Sequence, residues 1–139
     1  AIQDFPYFEF SDVELKRDGA TYTVDTLREL QVENSEDKFY FIMGADSLYQ
    51  IETWKDPDKI LSMVNILVAT RNDSRSALDA QIDYLEDKYN GRIYHLNSPS
   101  IEISSNEIRK RNISGQSIHF FLPEPVIDYI ERNGLYEHK

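Results

Sequence analysis

The sequence predicts an α/β fold with a mainly parallel sheet, and three observations carry that expectation. Short apolar runs suited to buried strands recur at Phe39–Met43 (FYFIM), Asn65–Thr70 (NILVAT) and Arg92–Leu96 (RIYHL). Stretches with helical periodicity separate them. Turn and cap residues fall at the junctions, as strand–helix alternation requires.

Taken in order, Phe8-Glu9-Phe10 alternates apolar and polar and, with Val13 and Leu15, reads as an extended segment ended by a turn at Asp18-Gly19. Thr21–Gln31 reads as a helix, with Thr23 as its N-cap and Val24, Leu27 and Leu30 on one face. The run Phe39–Met43 ends at Gly44 and suits a strand buried on both faces, with a helical turn from Asp46. Asp56-Pro57 opens a helix through Met63, since proline suits a first turn. Ser76–Tyr89 places Leu78, Ile82 and Leu85 in register and stops at Asn90-Gly91. Pro123–Asn133 is a final helix closed by Gly134. No repeat or linker divides the chain, so a single domain over residues 1–139 is expected.

The balance of 25 acidic against 15 basic residues, a net charge of −10, argues against nucleic acid or an anionic membrane as partner. It leaves room for a small anionic ligand, which responds to a local site. The chain has no cysteine, which removes disulfides, thiolate nucleophiles and cysteine-held zinc. With no signal-like segment or long apolar run, the cytoplasm is the expected compartment.

Against that acidic background, Ile103–Arg111 (ISSNEIRKR) gathers three cations behind a cluster of helix-start residues. Ser104 and Glu107 match a capping box, which alone describes a well-capped surface helix. Ser105 and Arg109, four residues apart, share a face. A helix N-terminus followed by an arginine is also an arrangement suited to phosphate. Ligands of parallel α/β sheets bind outside the carboxyl ends of the strands. That rule directs attention to Gly44-Ala45-Asp46, to Thr70-Arg71 and to the loop after Leu96, which leads into ISSNEIRKR.

Gly44 allows close backbone approach after a strand, and Asp46 can accept bonds from a ribose; the plainer alternative is a turn and a helix cap. Trp54, the sole tryptophan, lies in the polar stretch Glu52–Asp56, where it reads either as core or an interdomain wedge or as a platform for an aromatic ring. His95, His119 and His138 have neither metal nor triad spacing and read as structural or solvated.

Thr21–Leu27 (TYTVDTL), Phe41–Leu48 (FIMGADSL), Trp54-Lys55, Ile103–Arg109 (ISSNEIR) and the ending Leu122-Pro123-Glu124 with Tyr129–Tyr136 (YIERNGLY) together resemble, in order, the bacterial nicotinate mononucleotide adenylyltransferases. The resemblance covers essentially the whole chain. It implies a Rossmann-like nucleotidyltransferase fold and transfer of the adenylyl group of ATP to nicotinate mononucleotide, giving the dinucleotide precursor of NAD and pyrophosphate. By the same resemblance, Trp54 would stack on the pyridine ring. Thr23 and the backbone at Lys55 would receive its carboxylate. Gly44 and Asp46 would line the ATP ribose, while Ser104, Ser105 and Arg109 would bind the phosphates. Magnesium would accompany the triphosphate.

Two departures qualify the resemblance. Asn106 stands where the family usually has Thr, a change between two good capping residues. The family's N-terminal G-x-F-x-P-x-H-x-G-H motif has no counterpart, and H-x-G-H occurs nowhere. The expectation is therefore a chain lacking the first strand–helix units, inactive alone, with an apolar sheet edge prone to self-association. Related nucleotidyltransferases acting on phosphopantetheine or glycerol phosphate are the near alternatives. A non-catalytic nucleotide-binding or oligomerisation module is the distant one.

Overall fold

The computed structural model describes residues 1–70, 75–97 and 103–136. The chain divides into two compact units: residues 11–100, and residues 1–10 with 101–139.

The first unit runs α1 (Thr23–Glu33), β1 (Tyr40–Gly44), α2 (Ala45–Tyr49), a 3-10 turn (Ile51–Thr53), α3 (Pro57–Met63), β2 (Asn65–Ala69), α4 (Arg75–Tyr89) and β3 (Arg92–Leu96). The strands pair in parallel in the order β1-β2-β3. Phe41, Ile66 and Ile93 are register partners, so their side chains share one face of the sheet. That face carries the core: Met43, Ile66, Val68 and Ile93 pack with Val24, Leu27, Leu48, Ile60, Leu61, Leu78, Ile82 and Leu85 from the helices.

The three strands lie where the apolar runs predicted them, but β1 is not buried on both faces. Tyr40 and Ile42 point away from the core and remain half or more exposed, and Tyr94 of β3 is nearly half exposed. The run FYFIM is apolar throughout, so its composition could not distinguish a two-sided strand from a one-sided strand. Residues 8–15 also depart from expectation. No strand includes them; the amides of Leu15 and Lys16 turn back onto Asp12 O, and Lys16 pairs with the Asp12 carboxylate at 2.7 Å. An extended segment needs a ladder partner, and among the described residues β1 bonds only to β2.

Helix boundaries follow local chemistry. Tyr22 O accepts the first bonds of α1, from the amides of Asp25 and Thr26, so Thr23 is the first helical residue and not the expected N-cap. α4 stops because Asn90 takes a left-handed conformation (φ 52°). Gly91 then passes close to α3, where a Cβ would lie 3.3 Å from the Leu61 side chain.

The second unit holds α5 (Ser105–Ile113) and α6 (Glu124–Arg132) around Ile118, Ile127 and Ile130. Gly134 (φ 56°) closes α6 in a Schellman motif, with Gly134 N–H on Glu131 O at 3.1 Å and Leu135 N–H on Ile130 O at 3.0 Å. No helix among the described residues is long and apolar enough to cross a membrane.

One-sided burial has a measurable consequence. Leu85→Ala, within the core, lowers unfolding free energy by about 2–5 kcal/mol, whereas Ile42→Thr on the bare face changes it by less than about 1 kcal/mol; denaturant melts of both check the contrast.

Candidate functional site

In the first unit, the chain leaves β1 at Gly44, in extended conformation (φ −79°, ψ 158°), and enters α2 directly. A Cβ at Gly44 would meet nothing within 4 Å, so the backbone there is open to approach. Asp46 follows in the first turn of α2 with its side chain exposed. Both residues thus sit at the carboxyl end of a parallel strand, the usual ligand edge. Thr70 closes β2 at the same edge; Arg71 and residues 98–102 lie outside the described residues.

After α2 the 3-10 turn delivers Trp54. Its ring is half-buried, packing against the core edge-on to Phe41 with centroids 6.3 Å apart and planes at 65°. Part of the ring surface remains accessible. Lys55 follows, and its ammonium lies 2.9 Å from the Asp25 carboxylate and 4.4 Å from the Tyr22 ring centroid. Tyr22 and Asp25 bracket Thr23, so this pairing joins the start of α1 to the Trp54-Lys55 turn although 30 residues separate Asp25 from Lys55. The Thr23 hydroxyl and the Lys55 amide have no hydrogen-bond partner among the described residues. Lys55 links the residues on either side of Thr23 to the turn that carries Trp54, and hydroxyl and amide donors of this kind can receive an anionic group.

The Lys55 ammonium, followed by Arg28, holds the Asp25 carboxyl below the usual carboxylate range. Asp56 turns through a left-handed conformation (φ 51°) and pairs with Lys59 at 2.8 Å, which lowers its carboxyl as well.

In the second unit, Ser104 caps α5 in extended conformation, its Oγ accepting the Glu107 amide at 3.1 Å. Only this serine half of the capping box is formed among the described residues. α5 buries none of its residues completely, and Ser105 is exposed. Arg109, half-buried, sets its guanidinium 6.0 Å from the Tyr136 ring centroid. Arg111 makes structural contacts of its own. It donates from Nε to Ser117 O at 3.1 Å and lies 4.9 Å over the Phe121 ring. The cationic residues are thus divided between structure and surface.

His95 pairs with Asp79 at 2.8 Å and His119 with Glu124 at 3.0 Å, both at the surface; His138 lies outside the described residues. Among the described residues no group of three or more histidines or acids could hold a metal ion.

Tyr22, Asp25 and Tyr136 were not distinguished as site residues by sequence, because each acts through a partner about 30 residues away. The pairing of Asp25 with Lys55 can be tested directly: in Lys55→Met the Asp25 pKa rises toward that of an ordinary aspartate, as read by side-chain carboxyl NMR. With Lys55 present, the stabilisation is full above the ordinary value and is lost as pH falls through the lowered one.

A family model for cytidylyltransferase-like proteins matches residues 1–111. A probable nicotinate-nucleotide adenylyltransferase of Lachnoclostridium phytofermentans is 43% identical over 137 residues, covering 98% of this chain and 68% of that protein. A relative of the same name from Thermoanaerobacter is 39% identical, covering 95% of this chain and 64% of that protein. A third, from Clostridium botulinum, is 41% identical over 99% of this chain and 68% of its own length. The chain thus spans about two thirds of the length of these curated relatives. Among solved structures, the Plasmodium falciparum nicotinic acid mononucleotide adenylyltransferase complexed with APC superposes with a TM-score of 0.64 at 23% identity, over 86% of this chain and 60% of that one, a likeness of fold. The strand–helix order, the residues at the carboxyl edge and these matches agree: the chain belongs to the cytidylyltransferase-like family and, within it, to the nicotinate-nucleotide adenylyltransferases.

Proposed function

We propose that the protein containing this chain transfers the adenylyl group of ATP to nicotinate mononucleotide. The identity of 43% over nearly the whole chain carries the reading, and the Thr23, Trp54 and Lys55 arrangement supports it. In this reading the pyridine ring stacks on the free part of Trp54. Its carboxylate accepts bonds from the Thr23 hydroxyl and the Lys55 amide, two donors not otherwise engaged. A carboxamide would bring an NH2 group to one of those donors, so the acid form is favoured over the amide form. Gly44 and Asp46 take the ATP ribose.

In the reaction, an oxygen of the mononucleotide phosphate attacks the α-phosphorus of ATP. The bond from that phosphorus to the bridging oxygen breaks, and the electron pair leaves with pyrophosphate. Chemistry of this kind depends on alignment and charge stabilisation more than on covalent help. The free amides at the start of α5, the Ser104 and Ser105 side chains and the Arg109 guanidinium supply positive potential and donors for the phosphates. Tyr136 beside Arg109 limits the directions its guanidinium can take. No step is routed through a metal; magnesium would enter as part of the ATP substrate.

The test is an assay of the product of the whole open reading frame, with ATP and either nicotinate or nicotinamide mononucleotide. Formation of the adenylylated nicotinate product is expected. Transfer to phosphopantetheine or glycerol phosphate in its place would overturn the assignment. Trp54→Ala raises the KM for nicotinate mononucleotide by about 10- to 100-fold, the scale of one lost stacking contact, with a smaller effect on the KM for ATP. Arg109→Ala lowers kcat/KM by about 10- to 100-fold, the scale of a charged hydrogen bond.

A further inference from the structure

Glu52 lies two residues before Trp54, in the 3-10 turn, and one of its oxygens is the focus of an unusual convergence. Glu52 Oε1 accepts from Lys88 Nζ at 2.7 Å, from the Tyr89 hydroxyl at 2.8 Å and from the Tyr84 hydroxyl at 3.3 Å. Lys88 Nζ also donates to the Tyr84 hydroxyl at 2.7 Å and sits 5.1 and 5.2 Å from the Tyr84 and Tyr89 ring centroids. All three partners belong to the end of α4, 32 to 37 residues away.

An isolated surface ion pair contributes little stability, yet donors arriving from three side chains fix the direction of a carboxylate far more closely than one would. The far end of the same turn is tied by Lys55 to Asp25. Within it, the Trp54 amide donates to Ile51 O at 3.0 Å, and Ile51 is fully buried. Trp54 is therefore held between two surface clasps, with its ring tilted at 65° to that of Phe41.

We infer that Glu52 is a positioning residue for the acceptor site: clasped by Lys88, Tyr84 and Tyr89, it sets the turn that presents the accessible part of the Trp54 ring. This deepens the proposed reading and rests on it for the identity of the ligand, but the clasp can be read without the ligand. Trp54 is the only tryptophan of the chain, so its fluorescence, excited on the red edge where tyrosine does not absorb, reports its surroundings.

The experiment compares the 139-residue chain with Glu52→Gln, Lys88→Met and Lys88→Arg, each checked for folding by far-UV circular dichroism. A variant unfolded at the assay temperature is replaced by Tyr84→Phe, which removes one donor only. Trp54 emission shifts in Glu52→Gln and Lys88→Met and returns toward that of the parent chain in Lys88→Arg. Titration with nicotinate mononucleotide, followed by Trp54 quenching, gives a Kd weakened roughly two- to tenfold in the first two variants, the factor for one misaligned aromatic contact. Folded variants with unchanged emission and unchanged Kd overturn the inference, as does shifted emission with an unchanged Kd. If the parent chain binds no mononucleotide, it is the acceptor reading that fails. The emission comparison then still decides whether the clasp orients Trp54, and unchanged emission overturns it.

Discussion

The sheet unit depends on the burial of one face of the central strand. Ile66 and Val68 of β2 are fully buried, with β1 and β3 bonded on either side. Burying side chains of this size contributes roughly 1.5–3 kcal/mol each, and each shares a core with residues from α1 to α4. Because β1 is in register with β2, the same burial sets where β1 ends, and so where Gly44 hands the chain to α2. Phe41, on the core face of β1, then supplies the surface against which Trp54 rests. The candidate acceptor site thus takes its foundation from the hydrophobic layer and only its final adjustment from polar contacts.

Those polar contacts are all at the surface, and their character follows from that. Asp25, Glu52 and Asp56 each have a carboxyl lowered first of all by a lysine partner: Lys55, Lys88 and Lys59 respectively. Solvent weakens such pairs as sources of stability. They are better suited to selecting one arrangement of a turn whose backbone is already compact. In an acidic chain, placing three of few lysines along residues 52–59 or against them concentrates local order where the turn needs it.

The helix α5, proposed to hold the phosphates, is arranged differently. α5 completely buries no residue, so its place in the second unit rests on partial contacts such as Ile108 with the Ile118, Ile127 and Ile130 cluster. Arg111, bonded to Ser117 O and stacked over Phe121, ties the helix to the segment that follows it. That leaves Ser105 exposed and Arg109 restrained by one aromatic ring, which is a division of labour among neighbouring cations that charge alone does not reveal.

By itself the sequence determined the strand–helix alternation, the positions of β2, β3, α3, α4 and α6 to within a residue or two, the Ser104 cap and the family. Each of these depends on neighbours in the chain: apolar runs, 3.6-residue periodicity, proline or glycine at a helix end, short motifs in order. Tertiary structure decided the one-sided burial of β1, the turns in place of an extended segment at residues 12–17, and the partners of Lys55, Glu52, Arg109 and Arg111. A strand's second face is covered or bare according to what packs there, and a side chain about 30 residues distant leaves no periodic trace. The candidate acceptor residues could be named from a local motif, but the clasps around them became visible only once the chain had folded back on itself.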